Sequence, residues 1–229
     1  MTANSENRPG KSRPDEMRSH VVQEKNDIRK KISQQKSKLM TLDICRFSRP
    51  IIDKVVSMPE FIEAEAVYTY LEYNQEIISH PIVNKAWEMG KRVAVPKVMN
   101  KKMDFYYIES FDDVLPGYMG ILEPIVNEIA DEKKVFVVMP GIAYDLDFNR
   151  IGYGGRYYDT YFAEHKDTEF FKAALVYDFQ IIEHINCEPH DIPVDAIITT
   201  SRIYRRSENM IKNEAPGSNE NNNNNNLGY

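Results

Sequence analysis

The sequence predicts an α/β fold, with a mostly parallel sheet and helices on both faces. Three observations carry that prediction. Short β-branched and aromatic runs alternate with longer segments of helical character. The run Val135–Met139 delivers the chain to a glycine-rich segment that ends in a helix start. Hydrophobic residues make up 42% of the 229, enough for a sizeable core once the polar ends are set aside.

Residues 1–20 are polar and carry Pro9, Gly10 and Pro14, and they are expected to be disordered. Val22–Met40 is a charged helix in which Ile28, Ile32 and Leu39 recur at near-helical spacing. Asp43–Val56 is a second helix, broken or restarted at Pro50. Met58, Pro59 and Phe61 lead towards a strand. Ala66–Leu71 is that strand, and a loop from Glu72 to Ser79 follows. His80–Met89 is a helix stopped by Gly90. Arg92–Val98 is a strand whose end Pro96 marks, Met103–Ile108 is a short strand, and Gly117–Pro124 is a turn-rich loop. Val135–Met139 is a central strand, Phe170–Tyr177 a further one and Ala196–Thr200 the last. Residues 21–206 thus form the folded unit, and 207–229, with six asparagines from Asn221 to Asn226, form a disordered tail.

Net charge is −6, from 29 basic and 35 acidic residues, which argues against general nucleic-acid affinity. Cys45 and Cys187 lie far apart and no Cys/His ligand spacing appears, which argues against zinc. No run approaches the ~18 apolar residues of a membrane span, and the polar start of the chain shows no apolar signal-peptide core. A soluble cytoplasmic protein with reduced thiols is the expectation.

The chemistry gathers between Met139 and Asp159 in MPGIAYDLDFNRIGYGGRYYD. A strand, a glycine-rich turn and a helix start bring backbone N–H groups up to a phosphate. Arg150 and Arg156 add fork-shaped donors suited to phosphate oxygens. Lys25 and Arg29 sit four apart on one helix face and can grip one anion, although spacing alone favours a solvated basic face. Ligands of parallel sheets gather beyond the carboxyl ends of strands. Glu76, Lys97, the glycine segment and Gln180 each follow a strand and are candidates to converge on one cleft. A loop carboxylate such as Glu76 is more often solvated than functional. Asp159 either favours the helix N-terminus or holds Mg²⁺, and Asp191 and Asp195 are turn formers or the second magnesium carboxylate. Tyr153, Tyr157 and Tyr158 are core residues or an aromatic wall. His184 and His190 have no ligand partners in sequence and are treated as surface histidines.

In sum these features resemble the 5-formyltetrahydrofolate cyclo-ligase family, also called 5,10-methenyltetrahydrofolate synthetase. The resemblance runs from about Lys25 to Tyr204. It rests on Lys25 and Arg29, EIIS from Glu76, VAVP, Glu123–Pro124, MPG followed by RIGYGGRYYD, Gln180 and DIPVD. Two departures stand out. Ile78 replaces an acidic residue of the family pattern, and Arg156 stands where a glycine is usual, at a position suited to φ > 0.

The resemblance implies a three-layer sheet like that of the NagB/RpiA/CoA transferase group. It implies an ATP- and Mg²⁺-dependent conversion of 5-formyltetrahydrofolate to 5,10-methenyltetrahydrofolate, with ADP and phosphate released. Lys25 and Arg150 would be catalytic. Lys25, Arg29, Arg150, Ile151, Gly152, Tyr153, Gly154, Gly155, Arg156, Tyr157 and Tyr158 would bind ATP. Leu71, Glu76, Tyr153, Gly154, Gly155, Arg156 and Tyr157 would line the folate, and Asp159 and Asp191 would hold magnesium. The partner would be a reduced folate, with no nucleic acid and no membrane, and the protein would be a monomer. A catalytically weakened folate- or nucleotide-binding protein of the same fold is the alternative. An enzyme of another reaction on a similar sheet, such as a sugar-phosphate isomerase, is a second rival.

Overall fold

The computed structural model describes residues 14–206. The elements run α1 (Pro14–Lys36), α2 (Thr41–Val56), α3 (Pro59–Glu63), β1 (Ala66–Thr69), α4 (His80–Glu88), β2 (Arg92–Met99) and β3 (Lys102–Ile108). They continue with β4 (Val114–Pro116), β5 (Leu122–Pro124), β6 (Lys134–Met139), β7 (Ala143–Tyr144), β8 (Arg150–Ile151), α5 (Tyr157–Glu164), β9 (Glu169–Leu175), β10 (Ala196–Ile198) and β11 (Ile203–Arg205). Seven strands form the main sheet in the order β11-β10-β9-β6-β1-β2-β3. The five inner strands are parallel, and β3 and β11 close the two edges antiparallel.

Side chains alternate across the sheet, and the alternation separates two cores. Val67, Val93, Phe136, Val138 and Leu175 face α2, α3 and α4, packing with Ile51, Val55, Phe61 and Ile82. Tyr68, Ala94, Val135, Val137 and Ala174 face the other way, onto Tyr161 and Phe162 of α5 and Phe105 of β3. Helices on both faces are thus confirmed. A third, smaller cluster seats α1: Ile32 packs with Ile142, Ala143, Ile151 and Ile185.

Several local expectations change. α1 begins at Pro14, inside the segment expected to lack order, while residues 1–13 and 207–229 lie outside the described residues. α2 runs unbroken through Pro50. An interior proline costs a helix about 3 kcal/mol, and the complete burial of Ile51 and Val55 against the sheet offsets it. On the way to β1, Pro59–Glu63 forms the short helix α3, an element not expected from the sequence.

Pro96 does not end β2, which continues to Met99. β1 pairs only with Arg92–Ala94, so beyond that point β2 has β3 alone and Pro96 owes no second hydrogen bond. The Gly117–Pro124 loop is one arm of a small hairpin, β4–β5. Ala196–Thr200 is not the last strand, because the chain turns back into β11. No helix among the described residues is long and apolar enough to cross a membrane.

Candidate active site

β1 and β6 lie side by side at the centre of the sheet. From β1 the chain moves outward to β2 and β3, and from β6 it moves to β9 and β10. This is the point where strand order reverses, and a crevice opens there at the carboxyl ends. The loop after β1 carries Glu76. The segment after β6 carries the hairpin β7–β8 and the glycines.

The hairpin is set by Asp145, which is fully buried. Its carboxylate accepts the N–H groups of Asp147, Asn149 and Ile185 and the Asn149 amide. That anchor turns the chain so that Arg150 re-enters under the glycines. Gly154 has φ 101° and Arg156 has φ 56°, so the loop closes through two left-handed residues. Arg156 therefore sits where a positive φ is required, and it forms the N-cap of α5. A Cβ on Gly152 would lie 2.8 Å from Arg150 Nη1, and one on Gly155 would lie 2.5 Å from the Tyr157 ring. Only glycine lets these groups pack so closely to the loop.

Lys25, Arg29, Pro140, Arg150, Gly152, Tyr153, Gly154, Gly155, Arg156, Tyr157, Tyr158, Asp159 and Asp191 line one cleft. Lys25 Nζ donates to Asp191 Oδ2 at 2.6 Å, and the Glu188 N–H donates to the same oxygen. Burial opposes ionisation of Asp191, but these donors hold its carboxyl below the usual range. Arg29 Nε donates to the Gly152 carbonyl at 2.8 Å, which fastens α1 to the loop. Lys25 is 8% exposed, so the solvated-face expectation for this helix is overturned at that residue. Arg150 is equally buried, donates to Asp159 Oδ1, and leaves its Nε without a partner. A buried guanidinium N–H without an acceptor is a receptor for an anion.

Glu76 occupies a second, narrower chamber with Lys36, Tyr70, Met139, Gly141 and Gln180, and Pro140 belongs to both chambers. Asn74 (φ 45°) and Gln75 (φ 53°) are consecutive left-handed residues just before it. They fold the chain back so that Glu76 Oε2 accepts the Tyr73 N–H at 3.0 Å. The Tyr153 hydroxyl donates to Glu76 Oε1 and so links the two chambers. Gln180 is buried and donates to the carbonyls of Gly141 and Ile142, which fixes the turn after β6.

Three candidates fall elsewhere. Leu71 is buried in the core against the α2–α4 layer, and Ile151 is buried in the α1 cluster, so neither side chain lines the cleft. Lys97 donates to the Pro124 carbonyl at 2.8 Å and holds the β4–β5 hairpin to β2. His190 is not a free surface histidine: its Nε2 lies 3.6 Å from carboxylate oxygens of both Glu188 and Asp191. His184 is exposed, yet it stands with Asp145 and Asp147. Lys36 was missed. Its signal is its place on the helix, eleven residues from Lys25 and seven from Arg29, on one stripe with the buried Ile32.

Asp159 and Asp191 suit a hard cation. Asp159 Oδ2 takes no hydrogen bond from a described residue, Asp191 Oδ1 faces His190 Nε2 at 3.6 Å, and both carboxylates line the same cleft.

Fold and site together define an α/β protein with an anion-receptive cleft at the switch point of its sheet. The chain belongs to the 5-formyltetrahydrofolate cyclo-ligase family, a family of ligases, whose model matches residues 21–200. It is 26% identical over 198 residues to a probable 5-formyltetrahydrofolate cyclo-ligase of Schizosaccharomyces pombe, covering 79% of this chain and 97% of that one. It is 24% identical over 157 residues to the 5-formyltetrahydrofolate cyclo-ligase of Escherichia coli K12, covering 66% and 86%. Among solved structures it resembles the 5,10-methenyltetrahydrofolate synthetase of Aquifex aeolicus. The TM-score is 0.70 at 30% identity, over 80% of this chain and 92% of the other.

Proposed function

We propose that this protein converts 5-formyltetrahydrofolate to 5,10-methenyltetrahydrofolate with consumption of ATP. One observation supports this above the others. Lys25, Arg29 and Arg150 surround a glycine loop on one side of Pro140, and Glu76 waits on the other. Cationic phosphate-binding candidates and a carboxylate acceptor therefore lie on the two sides of Pro140, joined by the Tyr153–Glu76 hydrogen bond.

The chemistry fits that division. A formamide oxygen is a poor leaving group. Transfer of the γ-phosphoryl of ATP to that oxygen releases ADP and makes a good one. Nitrogen 10 then attacks the formyl carbon, phosphate departs, and the nitrogen 10 proton is lost as the ring closes. Such a transfer depends on positioning and charge neutralisation, and no protein nucleophile is needed. Lys25 and Arg150 would neutralise the moving phosphoryl group. Arg29, Arg156 and the N–H groups of the glycine loop would hold the rest of the triphosphate. Asp159 and Asp191 would hold Mg²⁺, which would supply charge neutralisation to the phosphates. Glu76 would accept N–H bonds from the pterin, because a carboxylate is an acceptor only. Tyr153 and Tyr157 would wall the folate.

The working unit is proposed to be a monomer, acting on a small reduced folate in the cytoplasm.

Incubation with ATP, Mg²⁺ and 5-formyltetrahydrofolate should raise the near-ultraviolet absorbance of the methenyl product, and omission of ATP should abolish the rise. Ligand binding without ADP release would instead favour the non-catalytic alternative. The Arg156 departure gives that alternative little support, since the loop seats Arg156 without losing the start of α5.

A further inference from the structure

Tyr153 stands between Gly152 and Gly154 in the loop that leads from β8 to α5, and it is 58% exposed. Its hydroxyl nevertheless reaches 77 residues back along the chain and donates to Glu76 Oε1. The other oxygen of that carboxylate accepts the Tyr73 N–H at 3.0 Å. A carboxylate offers about four acceptor sites, two on each oxygen. One protein donor on each oxygen fixes the plane of the group and leaves an acceptor site free on both.

We infer that Tyr153 is a positioning residue that couples the two chambers: order imposed on the glycine loop by a bound triphosphate passes through its hydroxyl to Glu76, so that nucleotide and folate each tighten the binding of the other. The identity of the two ligands rests on the proposed function, whereas the hydroxyl link between loop and carboxylate does not.

The loop is built to pass on such a change. Gly152, just before Tyr153, has its carbonyl held by Arg29 Nε at 2.8 Å, and Gly154, just after it, turns the chain at φ 101°. Arg29 and both glycines line the cleft in which the triphosphate is proposed to lie, so a ligand there acts on the residues that aim Tyr153. Glu76 lines the neighbouring chamber. Among the described residues, the Tyr153 hydroxyl makes the one hydrogen bond between the glycine loop and Glu76. A hydrogen bond weakens steeply as it loses alignment, so a loop free to move holds the carboxylate only part of the time. The first ligand bears the entropy of ordering loop and carboxylate, and the second binds without it. By linkage the gain is the same in both directions. A phenyl ring is enough to wall a ligand, but the coupling needs the oxygen, and Tyr153→Phe separates the two roles.

The test is calorimetry on the full-length protein with a non-hydrolysable ATP analogue, Mg²⁺ and 5-formyltetrahydrofolate, joined to amide exchange at Tyr73, whose N–H donates to Glu76. In wild type, saturation with the analogue should tighten folate binding by about fivefold or more, and saturation with folate should tighten the analogue by the same factor. Tyr153→Phe keeps the ring at an exposed position and so keeps the fold, and there the factor should fall to about one. The analogue alone should slow exchange at Tyr73 in wild type and leave it unchanged in Tyr153→Phe. Two ligands that bind wild type independently, one ligand that weakens the other, or the full factor retained in Tyr153→Phe overturns the inference. If the analogue binds and the folate does not, the proposed function fails and the Tyr73 exchange decides the link. If the analogue does not bind, the proposed function and the coupling fall together.

Discussion

Arg150 donates to Asp159 Oδ1 at 2.8 Å, and the same oxygen accepts the Ile192 N–H at 3.0 Å. One carboxylate atom therefore ties β8, α5 and the segment before β10 together. The second oxygen remains for a cation. Asp159→Asn keeps an acceptor for Arg150 and Ile192 and removes the charge. The Mg²⁺ concentration for half-maximal activity should rise by at least about tenfold, read from a magnesium titration on protein confirmed folded by circular dichroism. An unchanged dependence would remove Asp159 from the metal site. Asp159→Ala should also lower the unfolding free energy by about 3–5 kcal/mol, because it strands a buried guanidinium.

Gly152 has no room to change. Its added Cβ would stand 2.8 Å from Arg150 Nη1, and Arg150 is held from behind by Asp159. Gly152→Ala should displace the guanidinium and lower kcat/KM for ATP by up to about a hundredfold. Full activity in this variant would mean that Arg150 does not need its present position.

Arg156 offers the opposite case. Glycine there would relieve about 1–2 kcal/mol of left-handed strain and would restore about 0.5–1 kcal/mol of chain entropy to the unfolded state. The first is about twice the second, so Arg156→Gly should raise the unfolding midpoint slightly, by the equivalent of about 0.5–1 kcal/mol. Loss of a charged donor to phosphate should raise KM for ATP by roughly tenfold. An unchanged KM would make Arg156 a spectator of the phosphates.

A pH effect arises at the far end of the Glu76 loop. Burial opposes ionisation of Glu72, but hydrogen bonds from His80 and from the Ser79 N–H and hydroxyl bring its carboxyl down to about 2. The Glu72 bond raises the His80 imidazole above its ordinary value. The Glu72 contribution to stability is complete above its ordinary value of 4.5 and is lost as pH falls towards 2. The His80 contribution is complete below 6.5 and is lost as pH rises through the raised value. Stability from the pair should therefore peak between 4.5 and 6.5. Urea midpoints across pH should show that maximum in wild type and a flatter curve in Glu72→Gln. Identical curves would show the pair to be inert.

Much of the fold was legible because β-branched runs and helical periodicity coincide with burial on both sheet faces. Val135–Met139 reads as central and is central. Pro50 and Pro96 misled because their meaning depends on neighbours: one helix face is buried deeply enough to absorb the cost, and one strand lacks a second partner where its proline sits. The site was legible where residue type and local order carry the chemistry, as at Arg150, Asp159 and the glycines. It was illegible where a fold-wide meeting decides. Lys36 and Glu76 are forty residues apart in sequence and line one small cavity only because α1 packs against β7 and the turn at 178–180. Asn74 and Gln75 carry no glycine to announce their turn. Leu71 and Ile151 sit beside functional positions in the chain and still point into the core.

The stripe of Lys25, Arg29, Ile32 and Lys36 along α1 gives this helix the office of a ruler. Eleven residues of helix set roughly 16 Å along the axis between the backbone position that carries Lys25 and the one that carries Lys36. Ile32, seated among Ile142, Ala143 and Ile185, is the pin that holds the scale in place. One residue inserted between Arg29 and Lys36 would turn everything beyond it by about 100° and would take the two ends of the crevice out of register, though every side chain were still present.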